Sequence, residues 1–357
     1  MAQKALIVSL NYHPGHYSHL VAYYSLLQDL GFDTYLFINN KFADLDNENA
    51  YNKLYKISIS NYKKFDLVIF LFPSLKNILE IIKFKIFSSS KIIYLFHEPI
   101  NSYNEFYKSG FNIFQIIKLF FIDIINKITI FLSDKLILPS KTALNVYKTK
   151  YNLWNNKTLL IPLLFDDENN LDNTDIKNKV YISYIGTVAN DHAFNKFCDY
   201  VEFALATNLF KNFKFLIATG SKLDLVTKTK LLNINHSDRL LIVEGKWLSN
   251  QEINNYYNKS LLIWNSYDRS TQSGVLPKSF MFCTPVLGNN LIPNEYIVHK
   301  KNGIYLNDNS DFAEITDAIK YVSKNIEDLS LYSRKTFLKN FYYKNFKNKF
   351  KKLLNHE

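Results

Sequence analysis

Short apolar runs without polar alternation recur through the first half of this chain, at residues 4–10, 34–38, 66–71, 91–96 and 135–138. An unalternated run marks a strand buried on both faces, the condition of a parallel sheet covered by helices. The intervening stretches are long enough to carry the helical crossovers that parallel neighbours require. A second series follows at 180–185, 213–218, 239–243 and 261–264, with a short strand at 285–287. Between the two series lies DDENNLDNTDIKN, polar and without apolar rhythm, which reads as a linker. The pattern predicts an α/β protein of two Rossmann-like, doubly wound domains facing each other across a cleft. The boundaries fall at 1–165, a linker at 166–178, a second domain at 179–335, and a C-terminal helix at 336–357 that packs back on the first domain. Ligands of such sheets sit beyond the carboxyl ends of the strands, so the cleft between the domains is the expected site.

Length agrees with two domains, because 357 residues exceed one ordinary core. A hydrophobic fraction of 47%, with aromatics spread along the chain, excludes long disorder. The formal charge of +11 suits phosphates or anionic lipid heads, and the heavy use of Lys and Asn beside Ile, Tyr and Phe suggests that base composition inflates it. No Arg-rich block, zinc spacing or RNA-binding signature appears, so nucleic acid is not an expected partner. Cys198 and Cys283 stand far apart and define no disulfide framework, in keeping with a reducing cytoplasm. The start MAQKALIVSLNYHPGH runs directly into a strand and is not read as a signal peptide.

Two segments are amphipathic. Over 111–132, Asn112, Gln115, Lys118, Asp123, Asn126 and Thr129 form a narrow polar stripe on a wide apolar helix. Either this helix packs in the first domain's core or it lies in a membrane interface. Over 339–352, aromatic residues alternate with lysines, with Phe341, Phe346 and Phe350 on one side. That arrangement serves an anionic membrane surface or a final helix docked by its aromatics.

Only nine glycines occur, so their positions carry information. Gly15, Gly186, Gly220, Gly245 and Gly274 fall at or just after the carboxyl ends of expected strands, Gly31 at a helix C-terminus, and Gly110, Gly288 and Gly303 at turns. The stretch SYDRSTQSGVLPKSFMFCTPV, 266–286, leads through small polar residues into a helix. Backbone N–H groups at Gln272, Ser273, Gly274 and Val275, with the positive helix end, form a cradle for a diphosphate. A plain βα connection has the same composition.

YDRSTQSGVLPKSFMFCTPVL followed by KNGIYL resembles the second-domain signature of glycosyltransferase family 4, retaining enzymes with the GT-B fold. In the expected order it is accompanied by PGHYSHL, IIYLFHEP, LSDKLILPSKTALNVY, YISYIGTV and VEGKWLSNQEINNYYNKS, so the resemblance covers nearly the whole chain. Where the family commonly has two glutamates, this chain has Ser270 and Lys278. The loop is similar to that of a subgroup with Ser-Gly-Val in place of the first glutamate. Where many members have Arg and Lys after the first glycine of the second domain, it has Thr187 and His192. The resemblance therefore implies that Lys278 or Arg269 supplies the charge facing the diphosphate, and that His97 lies against the donor sugar, with Glu98 beside it. Gly15, Gly186, Gly245 and Trp247 join the donor side, Trp247 against the nucleobase. His16 and His19 follow Gly15 on the acceptor side. The threefold spacing of His13, His16 and His19 is also that of a metal set, but a loop-to-helix turn opposes that geometry, and the resemblance implies no essential metal and no cofactor.

The implied activity is transfer of a hexose or related sugar from a UDP- or GDP-type nucleotide sugar to a saccharide acceptor with retention of configuration. With the basic surface and amphipathic segments, the acceptor expected is polyprenyl-diphosphate-linked, at the inner face of the membrane in bacterial surface polysaccharide (O-antigen or capsule) synthesis. The alternatives are a nucleotide-sugar 2-epimerase on the same fold and a non-catalytic sugar-nucleotide binder.

Overall fold

The computed structural model describes residues 2–45, 59–72, 74–97, 99–108, 110–151, 157–169, 176–189, 192–233, 237–246, 248–267, 273–289, 295–307 and 310–354. The chain forms two compact units, Met1–Asp166 with Phe341–Glu357, and Asp167–Asn340.

In the first unit, β1 (Lys4–Ser9), α1 (Tyr17–Asp29), β2 (Asp33–Ile38), β3 (Leu67–Leu71), α2 (Leu75–Phe87) and β4 (Lys91–Leu95) follow in order. Then come α3 (Tyr103–Lys108), α4 (Ile113–Leu132), β5 (Lys135–Leu138), α5 (Lys141–Val146) and β6 (Lys157–Leu160). All pairings are parallel, in the order β2-β1-β3-β4-β5-β6. The chain thus moves one way from β1 to β2 and the other way from β3 onward, so the direction reverses between β1 and β3.

The second unit contains β7 (Tyr181–Ile185), α6 (Phe194–Ala206), β8 (Lys214–Ala218), α7 (Leu225–Leu232), β9 (Leu240–Val243), α8 (Asn250–Lys259) and β10 (Ser260–Asn265). It closes with α9 (Val275–Met281), β11 (Val286–Asn289), β12 (Gly303–Leu306), α10 (Phe312–Lys324) and α11 (Ile326–Asn340). Its parallel sheet runs β12-β11-β10-β7-β8-β9, with the reversal between β7 and β10. Buried Lys179, just before β7, donates to the carbonyls of Asn258, Ser260 and Phe282 and to Thr284. Burial lowers its pKa to about 7.

Strands occupy all the expected positions, with ends shifted by one or two residues. β6 and β12 were not expected. Gly288 and Gly303, read as turn residues, lie inside β11 and β12. A Cβ on Gly303 would stand 2.6 Å from the Val286 carbonyl oxygen, so the glycine permits close strand approach rather than a turn. Gly31 follows α1 with φ of 88°, the left-handed residue of a helix C-terminus.

Residues 166–178 are not simply a linker. Arg334 clasps Asp167 through both terminal nitrogens, and the Asn169 amide donates to the Met281 carbonyl at 3.0 Å, which anchors the start of this segment in the second unit. The expected C-terminal helix is broken in two. α11 ends at Asn340, Phe341 and Tyr343 bond to the Phe165 backbone, and a last helix spans Lys347–Leu354. Phe341, Tyr343 and Phe350 are buried, and Phe350 meets Tyr23 edge-on, so these aromatics dock within the first unit, while Tyr342 and Phe346 are half-buried. Lys91 donates to the last carbonyls of that helix, where the dipole favours a cation.

Helix α4 opens on a capping box between Asn112 and Gln115. Its orientation differs from a packed core helix, because the C-terminal half of the polar stripe, Asp123, Asn126 and Thr129, faces inward, while Asn112, Gln115 and Lys118 are exposed. Asp123 accepts from the hydroxyls of Tyr103 and Tyr151 and pairs with Lys127 and Lys150, while Asn126 accepts from Tyr94. Burial pushes the Asp123 carboxyl up, but the two hydroxyls and two ammoniums outweigh it and hold it below the usual range. The apolar side of α4 is exposed.

Candidate functional site

Each sheet reversal places a distinct cluster at the carboxyl ends of its strands. In the second unit, β7 ends at Gly186, whose φ of 143° is accessible essentially only to glycine. A Cβ there would lie 3.6 Å from the Val275 side chain, so the loop after β7 abuts the first turn of α9. Thr187 offers its carbonyl to the Tyr184 hydroxyl at 2.8 Å and to the His192 ring at 2.9 Å, and His192 stacks on Tyr267. Buried Ser273 donates to Asn265 at 3.0 Å, fixing the entry to α9 at the end of β10. Gly274 then caps α9 with no side-chain bond among the described residues, at the helix end where backbone N–H groups lack intrahelical partners. Gly186, Thr187, Ser273, Gly274 and Val275 are thus brought together. Gly245, with φ of 72°, sits apart at the end of β9, its N–H on the Ser221 carbonyl. Trp247, Arg269, Ser270 and Gln272 lie outside the described residues.

Lys278, expected as a cation, is buried on α9 and donates to Glu168 at 3.0 Å and to Asn250 at 2.7 Å. The same Glu168 oxygen also accepts from the side-chain amides of Asn250 and Asn254. The isolated positive charge expected from the sequence is therefore an ion pair within the second unit. Glu168 and Asn250 are the residues that sequence reasoning missed. The sequence signal was confined to Ser249 and Glu252, whose capping box marks the start of α8.

In the first unit the reversal lies between β1 and β3. Gly15 follows His13, whose Nδ1 accepts from the Gly15 N–H at 3.2 Å. His16 stacks on Phe72 with ring centroids 3.5 Å apart, and its own Nδ1 is buried with no hydrogen-bond partner among the described residues. Phe72 follows β3 with φ of 62°, strained for a non-glycine residue, and its carbonyl is held by Asn77 at 2.8 Å. His97, following β4, approaches the same Phe72 ring edge-on at 5.3 Å. His19 is buried on α1, with its Nδ1 2.9 Å from the Leu164 carbonyl. Burial holds His13, His16 and His97 below the ordinary histidine pKa, His97 at about 4, with mutual repulsion adding to the shift at His16. At neutral pH the cluster is therefore uncharged, and each ring can both donate and accept a hydrogen bond. Among the described residues no group of three or more His, Cys, Asp and Glu is arranged to hold a metal. Glu98 lies outside the described residues.

No known family model and no curated protein matches the sequence. Solved structures do match. HepE from Anabaena in complex with UDP is 11% identical, with a TM-score of 0.70 over 99% of this chain and 100% of that one. Sucrose-phosphate synthase from Thermosynechococcus elongatus is 11% identical, with a TM-score of 0.68 over 99% and 98%. A protein assigned as a UDP-N-acetylglucosamine 2-epimerase from Listeria monocytogenes is 11% identical, with a TM-score of 0.59 over 100% and 98%. At these identities the likeness establishes the fold, which is GT-B.

Proposed function

We propose that this chain is a retaining hexosyltransferase that moves a sugar from a UDP- or GDP-type nucleotide sugar to a saccharide acceptor. One observation carries the reading: the left-handed Gly186 turn and the uncapped start of α9 meet at the strand reversal of the second unit. Backbone N–H groups at such a helix start suit an incoming diphosphate. HepE, on the same fold, has been solved with UDP-glucose.

In this reading the diphosphate rests against Ser273, Gly274 and Val275, helped by Gln272 and Arg269, with Trp247 at the base and Ser270 near the sugar. Glu168 and Asn250 hold Lys278, which fixes α9 in register. The acceptor hydroxyl attacks the anomeric carbon on the face from which the diphosphate leaves. The C–O bond to the diphosphate breaks, and the hydroxyl proton passes to the departing diphosphate oxygen. His97 and Glu98 line the sugar side, while neutral His16, with its unsatisfied nitrogen, and His19 serve the acceptor side behind Gly15. Neutral imidazoles orient hydroxyls without repelling or binding the diphosphate as cations would. The acceptor we favour is a polyprenyl-diphosphate-linked glycan met at the inner membrane face in polysaccharide assembly. The Listeria structure keeps a 2-epimerase as the second reading, which would alter the donor without an acceptor.

A thermal-shift panel of UDP-, GDP-, dTDP- and ADP-sugars tests the donor site. One nucleotide class at a hundredfold excess over its Kd raises the midpoint by about 5–10 °C. Gly186→Val, which forces a side chain into the glycine-only region, removes most of that shift while remaining folded. A shift unchanged in Gly186→Val, or no shift with any nucleotide, contradicts the assignment.

A further inference from the structure

With Asp123, Asn126 and Thr129 of α4 turned inward, the question is what its apolar side meets. Ile113, Phe114, Ile117, Phe120, Phe121 and Ile124 are all exposed, Phe114 to 79% and Phe121 to 59%. At 100° per residue these six fall within an arc of about 120°. On α2, Leu75, Leu79, Ile82 and Ile86 are exposed within an arc of about 60°. The two helices pack against each other. Because β3, β4 and β5 are laid down in one direction, right-handed crossovers put α2 and α4 on the same face of the sheet. Their outward sides therefore lie together as one apolar surface, larger than the scattered exposure expected of a free globule.

The charges bordering it are mostly basic. α2 and α4 carry Lys76, Lys83, Lys85, Lys118 and Lys127; Lys83, Lys85 and Lys127 pair with Glu80, Asp134 and Asp123, while Lys76 and Lys118 stand exposed beside the apolar face. Among the described residues no helix is long and apolar enough to cross a membrane. An apolar face bordered by lysines on a helix that does not span is the pattern of a surface seated in one leaflet. A second copy of the chain fits less well, since a two-fold contact would set lysine border against lysine border.

We propose that the α2–α4 face is a docking surface for an anionic lipid leaflet, with Phe114, Phe121 and their neighbours entering the acyl boundary and the lysines meeting the headgroups. The proposal deepens the reading of a lipid-linked acceptor, yet the binding it describes needs no donor chemistry.

The test is sedimentation of the full chain with phosphatidylcholine–phosphatidylglycerol vesicles and with pure phosphatidylcholine vesicles. Wild type binds the anionic vesicles in a salt-sensitive manner. F114E/F121E lowers the partition coefficient roughly tenfold or more, and K76E/K118E lowers it several-fold for anionic vesicles only. Both pairs are exposed, so unfolding midpoints and the nucleotide-induced thermal shift remain those of wild type. That retained shift separates failure of docking from failure of the donor site. A polarity-sensitive fluorophore at Phe114→Cys supplies a second readout, because both native cysteines are buried; its emission shifts to the blue on anionic vesicles. The proposal is overturned if wild type ignores these vesicles, if F114E/F121E binds as wild type does, or if wild type is a dimer that F114E/F121E converts to monomer.

Discussion

Replacing Glu168 by alanine lowers the stability of the second unit by about 3–5 kcal/mol, because it takes the carboxylate from a buried ammonium. Lys278 donates to Glu168 and Asn250, and its side chain is 9% exposed against 17% for Glu168. Removing the carboxylate also leaves the amides of Asn250 and Asn254 without their shared acceptor. Lys278→Met in the same background removes the stranded charge, so the double variant regains much of the loss. Urea unfolding of the four members of this cycle measures the coupling directly. If Glu168→Ala shifts the midpoint by less than the error of extrapolation, the ion pair does not hold α9 in place.

Acid also destabilises the first unit through its histidines. His97 has a pKa of about 4 in the folded chain against about 6.5 when unfolded. Between those values the unfolded state binds the proton and the folded state resists it. The contribution is present above about pH 6.5 and is lost as pH falls toward 4, at a cost of about 3 kcal/mol for His97 alone. His16, lowered by burial and by His13, His97 and His19, adds in the same direction. Carboxylates titrate in this window too, so the informative quantity is the difference between wild type and His97→Gln. Unfolding at about pH 7.5 and about pH 4.5 shows a pH slope that is shallower in the variant. Equal slopes would mean that His97 is protonated freely in the folded chain.

These effects rest on contacts that the sequence reveals unevenly. Unalternated runs such as LVIFL and KIIYL identify buried parallel strands because they are short, apolar on both faces and rich in β-branched and aromatic residues. β12 escaped because its first residue is Gly303, whose role in letting β11 and β12 approach depends on Val286 across the ladder. Periodicity gave α4 its two faces but not their direction. That was settled by Tyr94, Tyr103, Tyr151 and Lys150, from other elements, which satisfy Asp123 and Asn126 inside. The glycine-containing loops after β7 and β10 were legible as strand ends. Lys278 looked like an open cation because its partner, Glu168, lies 110 residues away in a stretch that reads as linker. The strain at Phe72 has no sequence signature, since Asn77 and the ring of His16 define it only in the fold.

The central claim is retaining transfer, and proton NMR of the donor's fate tests it most directly. The nucleotide sugar that stabilises the protein is incubated with a polyprenyl-diphosphate-linked saccharide, and the anomeric signals are followed. The account predicts release of the nucleoside diphosphate together with a new glycoside of the donor's own anomeric configuration. A glycoside of inverted configuration, a C2 epimer still joined to its nucleotide, or a donor that binds and stays unchanged would contradict it.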